Sequence, residues 1–184
     1  VEHEAGDVQP PRVFAEVLAA HAGAFLDDVL VPEHGLEDAG GLGGEIVEGV
    51  VLKGLGTAHV CDHDLVTPTN LNRQKYTDGN LYGNKAVELC RNLSRVGSLG
   101  TTLIAHPCRF QEVDTQALRL DLIVCGVDFQ IPSTRLDVCR FALKIGVPAV
   151  IQGVTPDADG GYVFVQDGPC WACVFKPELA SPGS

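Results

Sequence analysis

The stretch AGGLGGEIVEGVVLKGLGTAHVCDHDLVTPTNLNRQ, residues 39–74, decides how this chain is read. It opens on four glycines, and residues 42–53 then follow helical spacing. Glycines at a helix start let backbone N–H groups come close to a phosphate, and the helix dipole favours the anion. Gly40, Gly41 and Gly43 are the candidates for that role. A strand follows at 59–62, and Asp62 ends it about 20 residues after the glycines, where a nucleotide-binding fold places its ribose-binding acid. The plain alternative is a glycine-softened loop packed against a sheet. One feature is unusual: the turn follows the polar residues EHGLED (33–38) rather than an apolar first strand, and Asp38 sets an anion beside it. The nearest apolar run, Val29-Leu30-Val31, is short and separated from the turn.

Outward from this stretch, strand-like and helix-like segments alternate. TTLIAH (101–106), DLIVCG (121–126), VPAVIQGV (147–154) and GYVFVQ (161–166) read as strands. Residues 83–96 and 133–145 read as helices, with a short helix near 114–119. Alternation of this kind implies a mainly parallel, doubly wound α/β sheet with flanking helices, and runs apolar on both faces, such as LIVCG, suit its middle. Residues 1–12 read as an acidic tail, and residues 13–31 as an amphipathic helix carrying Phe14, Val17, Leu18, Phe25 and Val29. No internal repeat is evident. The expected organisation is an unassigned N-terminal segment, 1–38, and one nucleotide-binding domain, 39–184.

Composition narrows the function. The chain has 184 residues, a formal net charge of −11, 45% hydrophobic and 20% charged residues. The acidic balance argues against a nucleic-acid partner, which calls for basic surface. No apolar run approaches the roughly 20 residues of a membrane span, and the start, VEHEAGDVQPP, lacks the basic region of a signal peptide. Seven cysteines, most in apolar stretches, read as reduced thiols of a cytoplasmic protein. Cys170 and Cys173 stand apart as a C-x-x-C pair.

In this order, the glycine turn, Asp62-His63-Asp64, Asn70-Leu71-Asn72-Arg73-Gln74 and Gly83-Asn84-Lys85 resemble the HesA/MoeB/ThiF family, the bacterial relatives of ubiquitin-activating enzymes. Later elements agree: LIVCGVD ending in Asp128 with Arg135 soon after, Val147-Pro148, GYVFVQ, and Cys170/Cys173. The resemblance spans about residues 39–177. It implies a Rossmann-like fold that uses ATP and Mg2+ to adenylate the C-terminal carboxylate of a ubiquitin-like or sulfur-carrier protein ending in Gly-Gly, and it implies a homodimer. On that basis Gly40, Gly41 and Gly43 cradle phosphate, Asp62 binds ribose, and Arg73 and Lys85 hold phosphates and act in catalysis. Asn70 and Gln74 position phosphate or the incoming carboxylate, Asp64 orients the loop at the same nucleotide, and Asp128 carries Mg2+ for catalysis. Cys170 and Cys173 correspond to half of a Zn2+ site, whose other pair lies downstream in the family, so a chain ending at Ser184 is expected to be a truncated member without the full set.

Several departures keep a second reading open. Asp38 stands where the family has the first glycine of its turn, Phe129 follows Asp128 where the family has Asn, and no N-terminal arginine segment is evident. These motivate a binding or scaffold module that docks a carrier protein without ATP turnover. An NAD-dependent oxidoreductase also fits a glycine turn followed by an acid, but it leaves NLNRQ and Lys85 without a role.

Overall fold

The computed structural model describes residues 28–32, 40–96, 100–126, 132–154, 160–167 and 170–174. Six strands form one sheet: β1 (Asp28–Pro32), β2 (Thr57–Cys61), β3 (Thr102–His106), β4 (Leu122–Cys125), β5 (Ala149–Val154) and β6 (Gly161–Gln166), in the spatial order β3-β2-β1-β4-β5-β6. All neighbours are parallel except β5 and β6, which run antiparallel. Among the described residues four α-helices accompany them: α1 (Gly40–Lys53), α2 (Lys85–Leu93), α3 (Pro132–Ile145) and the short α4 (Trp171–Val174). From β1 the chain winds outward through β2 to β3, then returns to place β4 on the other side of β1. This is the doubly wound α/β architecture expected from the alternation.

The first strand corrects the expected helix over 13–31. Residues 28–32 are not its last turn but β1, paired with β2 on one side and β4 on the other. A short apolar run such as Val29-Leu30-Val31 satisfies either periodicity, and the ladder bonds available on both sides of a central strand decide for the sheet. The remainder of that helix, 13–27, lies outside the described residues, as do the tail and residues 33–39. The sheet therefore begins upstream of the glycine turn. The short helix expected near 114–119 is a single 3-10 turn, Thr115–Ala117.

Alternation along the strands builds two cores. Ala58, Val60, Leu122, Val124 and Val150 face α1 and α2, packing with Val47, Val50, Leu89 and Leu93. Cys61, Ile123, Cys125, Ala149 and Ile151 face the other way, toward α3, Phe110 and Trp171. β4 is buried at every position, as a strand covered on both faces requires. α1 stops at Gly54, whose φ of 67° suits glycine, with Gly54 N–H donating to Val51 O (3.1 Å) and Leu55 N–H to Val50 O (3.3 Å). That turn delivers the chain into β2.

β5 carries a tighter constraint. A Cβ at Gly153 would stand 2.9 Å from both Arg135 Nη2 and Tyr162 Cε1. Arg135 is fully buried and donates to Tyr162 Oη at 2.6 Å, so neither neighbour has room to retreat. Gly153→Ala is expected to cost about 1–3 kcal/mol of overpacking; thermal or urea unfolding measures it, and a variant as stable as the parent would refute this packing.

Candidate functional site

The site is built on the carboxyl ends of the strands, where the direction of winding reverses between β1 and β4. Gly40, Gly41 and Gly43 form the first turn of α1, which carries no acidic side chain. The end of β4 meets this turn closely: a Cβ at Gly126 would stand 3.7 Å from Gly43 N and 3.8 Å from Gly43 Cα.

Asp62 follows β2 directly and is fully buried. Its Oδ1 accepts from Asp64 N–H at 2.7 Å, while Oδ2 is shielded from solvent and has no hydrogen-bond partner among the described residues. Burial pushes its carboxyl up to about 7, against the opposing pull of the Asp64 N–H and the Lys85 ammonium. The next residues are locked to the start of α2. Asn84 caps that helix by accepting from Val87 N–H (3.1 Å) and donates from Nδ2 to Asp62 O (2.9 Å) and Asp64 O (3.1 Å). Lys85 N–H donates to Asp64 O at 2.8 Å, and its ammonium, on a side chain almost fully buried, lies 3.2 Å from Asp64 Oδ2. Asp64 is thus the partner of Lys85. The ligand atoms of Asp62, His63 and Asp64 lie within 4.8 Å of one another. The salt bridge to Lys85 already answers part of that charge.

The connection between Val66 and Gly83 holds Asn70, Arg73 and Gln74. Asn70 is buried, and its Oδ1 accepts from Thr67 N–H (2.8 Å) and Thr67 Oγ1–H (2.9 Å). Its carbonyl accepts from both Arg73 N–H (3.3 Å) and Gln74 N–H (3.0 Å). Asn70 therefore shapes the turn that presents the next two side chains. Arg73 is exposed. Gln74 is half-buried, and both polar atoms of its carboxamide are shielded without a hydrogen-bond partner among the described residues. Lys75 ties the loop to α1 through Glu45 (2.8 Å) and Glu48 (2.9 Å).

The same device then recurs. Thr77-Asp78-Gly79-Asn80-Leu81 repeats Thr67-Pro68-Thr69-Asn70-Leu71, and Asn80 Oδ1 accepts from Thr77 N–H at 2.8 Å. Asn80 also donates to Glu88 at 2.6 Å, and Arg91 closes on the same carboxylate at 2.7 Å. The T-x-x-N-L pair was the sequence signal for this short repeat, which periodicity over longer windows passes over. Lys75, Asn80 and Glu88 were not singled out by the sequence, since none of them belongs to a chemical motif, and Asn84 stood in the Gly83-Asn84-Lys85 motif without a role of its own.

Asp128, Phe129 and Asp38 lie outside the described residues. Cys170 and Cys173 are together, with their Sγ atoms 2.8 Å apart at the start of α4. A structural zinc takes four ligands, and among the described residues neither cysteine belongs to a cluster of three metal-ligating groups. No helix among the described residues is long and apolar enough to cross a membrane.

A model of the ThiF family matches residues 38–182, most of the chain and every element from α1 onward. The chain belongs to the ThiF family. Among curated relatives, the SAMP-activating enzyme E1 of Haloferax volcanii is 29% identical over 79% of this chain and 54% of its own length. The NEDD8-activating enzyme E1 catalytic subunit of Caenorhabditis elegans is 33% identical over 53% of this chain and 23% of its own. The adenylyltransferase and sulfurtransferase UBA4 of Meyerozyma guilliermondii is 25% identical over 78% and 34%. The chain thus spans about half or less of these relatives. Among solved structures, E. coli MccB with ATP superposes with a TM-score of 0.63 at 21% identity, covering 80% of this chain and 43% of that one. At that identity the match speaks for the fold: ThiF-like, and Rossmann-like in its doubly wound sheet.

The raised Asp62 carboxyl has a defined signature. Its folded value of about 7 lies above the ordinary 3.8, so the folded chain holds a proton that the unfolded chain releases. Its contribution to stability is full below about pH 4 and is lost as pH rises through about 7. Asp62→Asn is expected to melt above the parent at pH 8, with the gap closing toward pH 4. Melting curves across that range measure the gap, and one independent of pH would contradict the buried, raised carboxyl.

Proposed function

We propose that the chain is the nucleotide-binding part of an ATP-dependent enzyme that adenylates the C-terminal carboxylate of a ubiquitin-like or sulfur-carrier protein. Family membership and the relatives named as activating enzymes and adenylyltransferases support the reaction class. The observation that carries it in this chain is a pair of buried polar groups without hydrogen-bond partners among the described residues: Asp62 Oδ2 directly after β2 and the Gln74 carboxamide in the connection that follows. Folded interiors pair such atoms, and an unpaired one costs about 1–3 kcal/mol. A ribose hydroxyl is a donor for Asp62, and phosphate or carboxylate oxygens are acceptors for the Gln74 NH2. The residues present therefore fit a nucleotide.

In the reaction a carrier carboxylate oxygen bonds to the α-phosphorus, the bond to the bridging oxygen breaks, and pyrophosphate leaves with an acyl-adenylate remaining. Negative charge builds on the phosphoryl oxygens, and cations fixed beforehand lower that barrier. Arg73, exposed on the loop, is a proposed cation for the phosphates. Lys85 is held by Asp64 and offers a charge whose position is set before the ligand arrives. Gly40, Gly41 and Gly43 bring backbone N–H groups to the phosphates from α1. Asn70 acts through the turn that presents Arg73 and Gln74. Asp128 is the proposed Mg2+ ligand, the metal neutralising phosphate charge when bound. Cys170 and Cys173 are proposed as a zinc half-site, a homodimer as the working assembly and the cytoplasm as its compartment.

The test is ATP–pyrophosphate exchange with a carrier ending in Gly-Gly. Exchange is expected to require the carrier and to fall about a hundredfold in Arg73→Ala. A parent chain that binds MgATP but supports no exchange would instead fit a carrier-docking module.

A further inference from the structure

Gln152 lies outside the sequence motifs of the family. It sits near the carboxyl end of β5 and is only 4% exposed. Side chains two apart on a strand share a face, so Gln152 points to the side of Val150, the face covered by α1. Its backbone is held by α3, since Gln152 O accepts from Arg135 Nη2 at 3.4 Å. Its side-chain Nε2 is shielded from solvent and has no hydrogen-bond partner among the described residues.

The place it reaches is informative. Nε2 stands 3.4 Å from the point where a Cβ on Gly126 would lie, and Gly43 N stands 3.7 Å from that same point. The orphaned donor therefore sits where the end of β4 meets the first turn of α1, at the reversal of winding where sheets of this class bind ligands. α1 runs for 14 residues and its first turn holds no acidic side chain, so its dipole favours an anion there. The amide NH2 only donates, so its partner is an oxygen lone pair. A side chain at Gly126 would stand between Nε2 and Gly43 N.

We infer that Gln152 is an additional anion-reading residue, donating from Nε2 to a phosphate oxygen of the nucleotide held at the start of α1. The inference rests on the adenylation reading and adds a contact from β5, on the far side of β4 from Asp62, Arg73 and Lys85. A nucleotide phosphate and a carrier carboxylate share this chemistry; proximity to the α1 turn selects the phosphate.

Calorimetric titration of the 184-residue chain with MgATP tests it, with Gln152→Leu and the isosteric Gln152→Glu beside the parent. Gln152→Leu is expected to weaken MgATP binding about tenfold, the loss of one hydrogen bond to a charged group. Gln152→Glu is expected to weaken it further by repelling the anion, and it keeps the shape of the site should the leucine variant fail to fold. Gln152→Leu that folds should melt no lower than the parent, because it deletes an unpaired buried donor. Parental affinity in both variants would overturn the inference and leave the adenylation reading standing. A rise only in KM for the carrier, with MgATP affinity intact, would overturn the phosphate assignment in favour of the carboxylate. A parent chain with no MgATP affinity would overturn the adenylation reading, and this one with it.

Discussion

The joint between the end of β2 and the start of α2 is the contact on which the rest of the site depends. A helix start leaves N–H groups without acceptors, and a strand that runs out of its sheet leaves carbonyls without donors. Here each answers the other. Asn84 caps α2 while donating to the carbonyls of Asp62 and Asp64, and Lys85 meets Asp64 through both its backbone and its ammonium. The excursion between them is closed by Val66 N–H to Gly83 O (2.8 Å) and Tyr82 N–H to Val66 O (2.9 Å). Tyr82 turns with φ of 65°, a conformation costing a non-glycine residue about 1–2 kcal/mol, and these bonds on either side hold it there.

Around this joint the structure sorts its polar atoms into two groups. Asn70, Asn80, Asn84 and Glu88 spend theirs inside the loop, which fixes its shape. Asp62 Oδ2, the Gln74 carboxamide and Gln152 Nε2 are shielded and left over, all toward the carboxyl side of the sheet. That division separates side chains that fix the loop from side chains left with unmet hydrogen-bonding capacity among the described residues. Thr101 Oγ1, just before β3, also lacks a partner among the described residues, and nothing around it accounts for that.

Much of this was legible in the sequence where several local signals agreed. The glycine turn, the strand ending in Asp62 and the amide-rich loop each stand in order, and α1, β2 to β6, α2 and α3 fall close to their expected positions. β1 was misread because Val29-Leu30-Val31 is too short for periodicity to separate strand from helix end, and its neighbours in space are remote in the chain. Asn70 shows what only the fold adds: the resemblance implied that it positions phosphate or carboxylate, and its Oδ1 accepts from Thr67 N–H, a bond visible only in the folded turn.

By itself the sequence determined the family and the kinds of group in the site, because spacing along the chain sets which residues share a strand end or a helix start. The tertiary structure decided which of those groups are already satisfied and which are not. Burial and partnership depend on what packs from elsewhere: Lys85 is answered by Asp64 across a loop, and the orphaned Nε2 of Gln152 reaches the first turn of α1 only because β5 lies beside β4.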